Sequence, residues 1–274
     1  MNSRRTFFLS TGAALASRAV ARAANDKLRI AVLGINGRGK DHIQGFMKME
    51  WWNYSTTAFM ISIQKLHPLI RHCMTVGDWG QSLLYVTKLG NKAYTLVDLG
   101  HHLPNANIEQ IVALLLMEGK LGGFHFNDSK YGDDDLTVGS IKPYQLFLIF
   151  NELVEGMDAR GMRHATGLAW MIDASHNVKD PLEDLLQSVE AVMLSYAQAL
   201  LVDRKKLADA KNNNDVVTAQ EVLQNAFRTD VRPLVGEARL RAGGALNPLA
   251  VYRNEKVREH LIKERGSKTV ATGL

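Results

Sequence analysis

The hydrophobic pattern changes character along the chain. Ala93–Val97, the run around Phe124–Phe126 and Ala169–Ile172 are short apolar stretches bounded by glycine or polar residues, the signature of buried strands. Lys27–Leu33 and Ala58–Ile63 are further strand candidates. Between them the apolar positions fall at helical spacing. Leu83–Leu89 closes at Gly90-Asn91, Ile108–Glu118 places Ile108, Ile111, Val112, Leu115 and Leu116 on one face, and Pro143–Val154 is apolar throughout. From Pro181 onward only the helical period remains, over Leu182–Lys211, Val216–Phe227, Pro233–Arg241 and Asn254–Arg265. Strands alternating with helices predict parallel βα units followed by a helical extension.

The chemistry gathers where these strands end. Asp98, His125 and Asp173 each stand at or near the C-terminal end of a predicted strand, and His101, Asp133 and Asp135 lie in the loops that follow. In parallel βα folds that edge is where functional side chains converge. The densest stretch is 121–136, where Asp128, Asp133, Asp134 and Asp135 follow His125 closely. Carboxylates so crowded repel one another unless a cation sits among them. Carboxylates with neutral imidazole and no thiolate suit Mn²⁺, Mg²⁺, Co²⁺ or Zn²⁺. A solvated acidic loop and a buried ion-pair network are the alternatives from spacing alone.

Composition narrows the field. The chain has 274 residues, 46% of them hydrophobic, enough for one large domain or two small ones. A single cysteine, Cys73, excludes a disulfide framework and a thiolate zinc site. The formal charge of +5 hints at an acidic partner, but Arg4, Arg5, Arg18 and Arg22 supply four of those charges, leaving +1 for the rest. Nucleic acid is therefore not an expected partner. Nor is a membrane: Phe7–Ser17 is too short to span one, and no later run approaches the roughly 20 apolar residues needed.

Ser3-Arg4-Arg5-Thr6-Phe7-Phe8-Leu9, the apolar run after it and Ala21-Arg22-Ala23 resemble a twin-arginine export signal, so residues 1–24 predict export to the periplasm; without a working signal the location is cytoplasmic. Residues 25–47 then resemble the start of the glucose–fructose oxidoreductase/inositol dehydrogenase family, with strand Lys27–Leu33, Gly37-Arg38-Gly39 and Asp41-His42. A working dinucleotide site needs an acid about 20 residues on to hold the ribose. Residues 51–77 contain neither Asp nor Glu, so no dinucleotide-binding residues are assigned.

From residue 48 the chain has a second character. Val97-Asp98-Leu99-Gly100-His101-His102-Leu103-Pro104-Asn105, the stretch Gly123–Asp135 and Met171-Ile172-Asp173-Ala174-Ser175-His176-Asn177 resemble L-rhamnose isomerase, and Gln198–Arg204 and Phe227–Pro233 extend the match over about residues 60–266. The resemblance implies a (β/α)₈ barrel of TIM type and two divalent ions, Mn²⁺ first among them. It implies Asp98, His125 and Asp173 as ligands of the first ion and His101, Asp133 and Asp135 as ligands of the second. The implied activity is aldose–ketose isomerisation of a small sugar, with Asp173 and His101 as catalytic groups.

The match has two departures. The glutamate that the family adds as a ligand has no counterpart in Met60–Pro68, and the family's first βα units are missing ahead of this region. The expectation is an incomplete barrel over residues 48–266, with a tail at 267–274, joined to the start of another protein. Half a barrel exposes strand edges, so a homo-oligomer is expected. An oxidoreductase and a non-catalytic metal-binding remnant are the alternative functions.

Overall fold

The computed structural model describes residues 59–62, 76–132, 134–159, 168–174 and 179–266, the first stretch as backbone only. The export signal, the dinucleotide-like segment, Cys73, Asp133, His176 and the tail lie outside these residues. Among the described residues the strands β1 (Phe59–Ser62), β2 (Ala93–Asp98), β3 (Leu121–Phe126) and β4 (Ala169–Ile172) form one sheet in sequential order, every pairing parallel. Helix α1 (Trp79–Leu89) precedes β2, α2 (Ile108–Met117) lies between β2 and β3, and α3 (Pro143–Ala159) between β3 and β4. After β4 come α4 (Pro181–Leu200), α5 (Arg204–Asn212), α6 (Val216–Arg228), α7 (Arg232–Arg241), α8 (Pro248–Asn254) and α9 (Val257–Arg265). No single helix among them is long and apolar enough to cross a membrane.

The sheet has a helix face and an opposite face, separated by the period-2 alternation of strand side chains. Phe124 and Phe126 on β3 point to the helix face, are fully buried, and stack with ring centroids 5.0 Å apart. Phe150 of α3 stacks on Phe126 at 5.7 Å, and Trp170 of β4 packs against both Phe126 and Phe150. Val97, Leu115, Phe147 and Leu153 complete this core behind the strands. Trp79, a possible wall for a sugar ring on sequence grounds, is half-buried against the same core. The alternate residues Asp98, His125 and Met171 stand side by side on the opposite face, because Asp98 pairs with His125 and His125 with Met171.

The helices begin and end where local chemistry dictates, with three departures from the sequence pattern. Gly77–Gly80 reads as a turn, but Asp78 accepts a hydrogen bond from the Gln81 N–H at 2.9 Å and starts α1 four residues earlier than the apolar spacing predicts. The predicted helix Leu182–Lys211 breaks at Leu201, where Asp203 caps a new helix and the Arg204 side chain donates to the Ala199 carbonyl at 2.9 Å. Toward the C-terminus, Lys256 adopts a left-handed conformation between α8 and α9. Lys120, just before β3, donates to the carbonyls of Val86, Gly90 and Ala93, placing a cation at the C-terminus of α1.

Candidate metal centre

Asp98 is fully buried at the C-terminal end of β2, which is costly for a carboxylate unless every oxygen is matched. Its Oδ1 accepts from the Gly100 N–H at 3.0 Å and from Asn127 Nδ2 at 3.0 Å. Its Oδ2 faces two imidazoles, His125 Nδ1 at 3.0 Å and His101 Nε2 at 3.5 Å. Burial would raise the Asp98 carboxyl, but the hydrogen bond from His125, the nearby His101 and the Asn127 amide outweigh it and hold it below its ordinary value.

His125 Nδ1 also lies 2.9 Å from Asp173 Oδ2. Asp173 follows β4, and its N–H bonds the Phe126 carbonyl at 2.9 Å, which carries the β3–β4 ladder one step past the strand end. Asp98, His125 and Asp173 thus offer one oxygen, one nitrogen and one oxygen, all within 4.8 Å of one another. Burial opposes a charge on His125, but the hydrogen bonds to Asp173 and Asp98 prevail and push the imidazole up to about 9. A single N–H between two carboxylates marks the place where a cation fits. Two hard oxygens and a borderline nitrogen are compatible with a divalent ion.

Of the second predicted ligand set, His101 stands beside Asp98 Oδ2. Asp135 adopts a left-handed conformation, φ 48°, and its Oδ1 lies 3.4 Å from Asn127 Nδ2. Asp133 lies outside the described residues. The two other acids of the loop are taken up by backbone. Asp128 is buried and accepts from the N–H groups of Ser129, Ile141 and Lys142, while Asp134 Oδ2 accepts from those of Lys130 and Tyr131. Paired backbone hydrogen bonds between Asp128 and Leu136 close the loop at its base. Lys179, Thr137 and the buried Asp184 then fasten the segment after it to α4.

His102 is buried, and burial pulls its imidazole down to about 4 despite the neighbouring Asp98 carboxylate, so it is neutral at pH 7. Its Nε2 has no hydrogen-bond partner among the described residues, so it orients none of their carboxylates. Sequence reasoning missed the roles of Asn127 and Gly100. A signal for both was present: each lies two residues past a predicted ligand, Asn127 after His125 and Gly100 after Asp98, at the strand ends where functional side chains converge.

The decisive comparison is with whole proteins. A probable sugar isomerase of Mesorhizobium japonicum is 50% identical over 211 residues, covering 76% of this chain and 48% of that protein. The chain is similar to probable sugar isomerases. A second, from Rhizobium meliloti, is 55% identical over 192 residues, covering 69% of this chain and 44% of that protein. The chain therefore spans about half the length of the curated relatives it matches. No family model matches it.

Proposed function

We propose that the chain carries the metal centre of an aldose–ketose isomerase of the L-rhamnose isomerase type, acting on a small sugar. The observation that carries this reading is His125 Nδ1 set between Asp98 Oδ2 and Asp173 Oδ2, in a chain half-identical to probable sugar isomerases. Asp98, His125 and Asp173 would hold one divalent ion, with Mn²⁺ the first choice and Co²⁺, Mg²⁺ or Zn²⁺ also suited to the donors. His101, Asp135 and Asp133 are the proposed ligands of a second. When bound, such ions polarise a sugar's carbonyl and hydroxyl oxygens.

The chain's own residues supply the rest. Asp173 has a side chain about half exposed, so its carboxylate can meet a substrate and accept or return a hydroxyl proton. His101 Nε2, beside Asp98, is the second proposed proton-handling atom. Four parallel strands in sequential order with the cluster at their C-terminal edge support a reading as successive units of a (β/α) barrel. Assembly with a second copy belongs to the same proposal, as does export through the twin-arginine-like segment. Purified protein with Mn²⁺ and L-rhamnose is expected to form ketose and to lose that activity to a chelator. Bound metal without ketose would favour the non-catalytic remnant.

A further inference from the structure

Asn127 occupies an unusual electrostatic position. Its side chain is buried, about 1% exposed, and its one Nδ2 lies 3.0 Å from Asp98 Oδ1 and 3.4 Å from Asp135 Oδ1. An amide nitrogen carries two hydrogens, one for each carboxylate. No other neutral side chain of this size supplies two such donors from one atom. The opposite end of the amide, Oδ1, is buried without a partner. Turning the amide over would aim that oxygen at two carboxylates, a worse outcome than leaving it unpaired.

The neighbouring backbone fits this arrangement. A Cβ at Gly100 would stand 3.2 Å from Asn127 Oδ1 and 3.3 Å from Nδ2, so glycine leaves the amide its room. The Gly100 N–H is also the second donor to Asp98 Oδ1. With two donors that oxygen is satisfied, and only Oδ2 is turned toward His125 and His101.

We propose that Asn127 is a positioning residue that ties Asp98 to Asp135 and leaves Asp98 Oδ2 alone facing the cation. It thereby links the ligand set of one ion to that of the other. This inference rests on the metal-centre reading above. Neutral donors behind a carboxylate ligand commonly change metal affinity 10–100-fold when removed.

The test is Mn²⁺ titration of the full chain, read by electron paramagnetic resonance as free against bound ion. Asn127→Leu keeps the branched heavy-atom skeleton, though with bulkier methyl groups, and loses both donors; Asn127→Ser retains one. We expect Leu to weaken Mn²⁺ binding about 10–100-fold and Ser to fall between it and the parent, with circular dichroism unchanged. A folded Leu variant within twofold of the parent overturns the inference and leaves the metal reading standing. A parent that binds no Mn²⁺ overturns both. Should the Leu variant not fold, the parent itself decides: the Asn127 side-chain amide resonances should shift as Zn²⁺ is added, and resonances unmoved at saturation overturn the proposal.

Discussion

Asp98 and His125 are 27 residues apart in the chain yet register partners on adjacent strands, with Oδ2 and Nδ1 3.0 Å apart. The pair makes stability depend on pH in a definite direction. The folded-state value for His125 is about 9, above its ordinary 6.5, so the native state holds the extra proton between those limits. This stabilisation is complete below about 6.5 and disappears as pH rises through 9. It amounts to at most about 3 kcal/mol, reduced by the quarter of the side chain that water reaches. His102 acts oppositely. With its folded value near 4, its contribution is present above 6.5 and falls away as pH drops toward 4. The depressed Asp98 is the same contact seen from the carboxylate and adds no separate alkaline effect. Metal-free protein should therefore be most stable near pH 6.5, as urea unfolding at pH 5, 6.5 and 9 in chelator would show. Stability rising steadily from 6.5 to 9 would contradict this.

Metal should remove the alkaline decline. An ion at His125 Nδ1 displaces the proton shared with Asp98 and Asp173. Below pH 9 each unit of acidification should weaken binding about tenfold, with close to one proton released per Mn²⁺ at pH 7. Calorimetry in buffers of different ionisation enthalpy measures that proton directly. Asp173→Asn is the informative variant, because Asp173 is half exposed while Asp98 is fully buried. It should lower Mn²⁺ affinity at least tenfold and lower the melting temperature of the metal-free protein only by the loss of its hydrogen bond to His125, whereas Asp98→Ala should harm both more severely.

The candidate ligands were legible because each ends an apolar run. Asp98, His125 and Asp173 follow strand-like stretches, and parallel strands bring such ends to one edge. The division of labour in the acidic loop was not legible. Asp128 and Asp134 look like Asp135 in sequence, but backbone N–H groups that are placed only by the folded loop occupy them. The break after Leu200 was equally hidden, since the helical period runs through it. It depends on Arg204 reaching both Ala199 and Asn151, the latter 53 residues away. Gly123 shows the same limit: the apolar run does not reveal that it stands against the backbone of the next strand.

A methyl group at Gly123 would meet the Ala169 carbonyl oxygen at 2.3 Å and its Cβ at 2.8 Å. The atom in the way is backbone, so β3 and β4 must separate. Gly123→Ala should cost about 1–3 kcal/mol and also weaken Mn²⁺ binding, because Asp173 hangs from the Phe126 carbonyl on the same ladder. Gly90→Ala is the control. Its φ of 94° makes alanine strained, but nothing lies within 4 Å, so stability should fall by about 1 kcal/mol with metal affinity unchanged. Equal metal loss in both variants would count against the ladder as the means of placing Asp173.

Asp128 separates support from ligation within one loop. Its Oδ2 accepts from the N–H groups of Ile141 and Lys142 at 2.8 and 2.9 Å, just ahead of α3, and its Oδ1 from Ser129 at 2.8 Å. Asp128→Ala strands these donors where the replaced carboxylate was buried, and should cost about 1–3 kcal/mol. Asp128→Asn keeps one acceptor and should cost less. Neither variant removes Asp98, His125 or Asp173, so the tightest Mn²⁺ site should persist. A weaker site that includes Asp135 should loosen, because the Asp128 side chain ties the base of the loop that carries it to the Ile141 and Lys142 N–H groups. Mn²⁺ titrations of both variants, compared with their melting temperatures, test this. Loss of the tight site in Asp128→Asn at unchanged stability would instead make Asp128 a ligand.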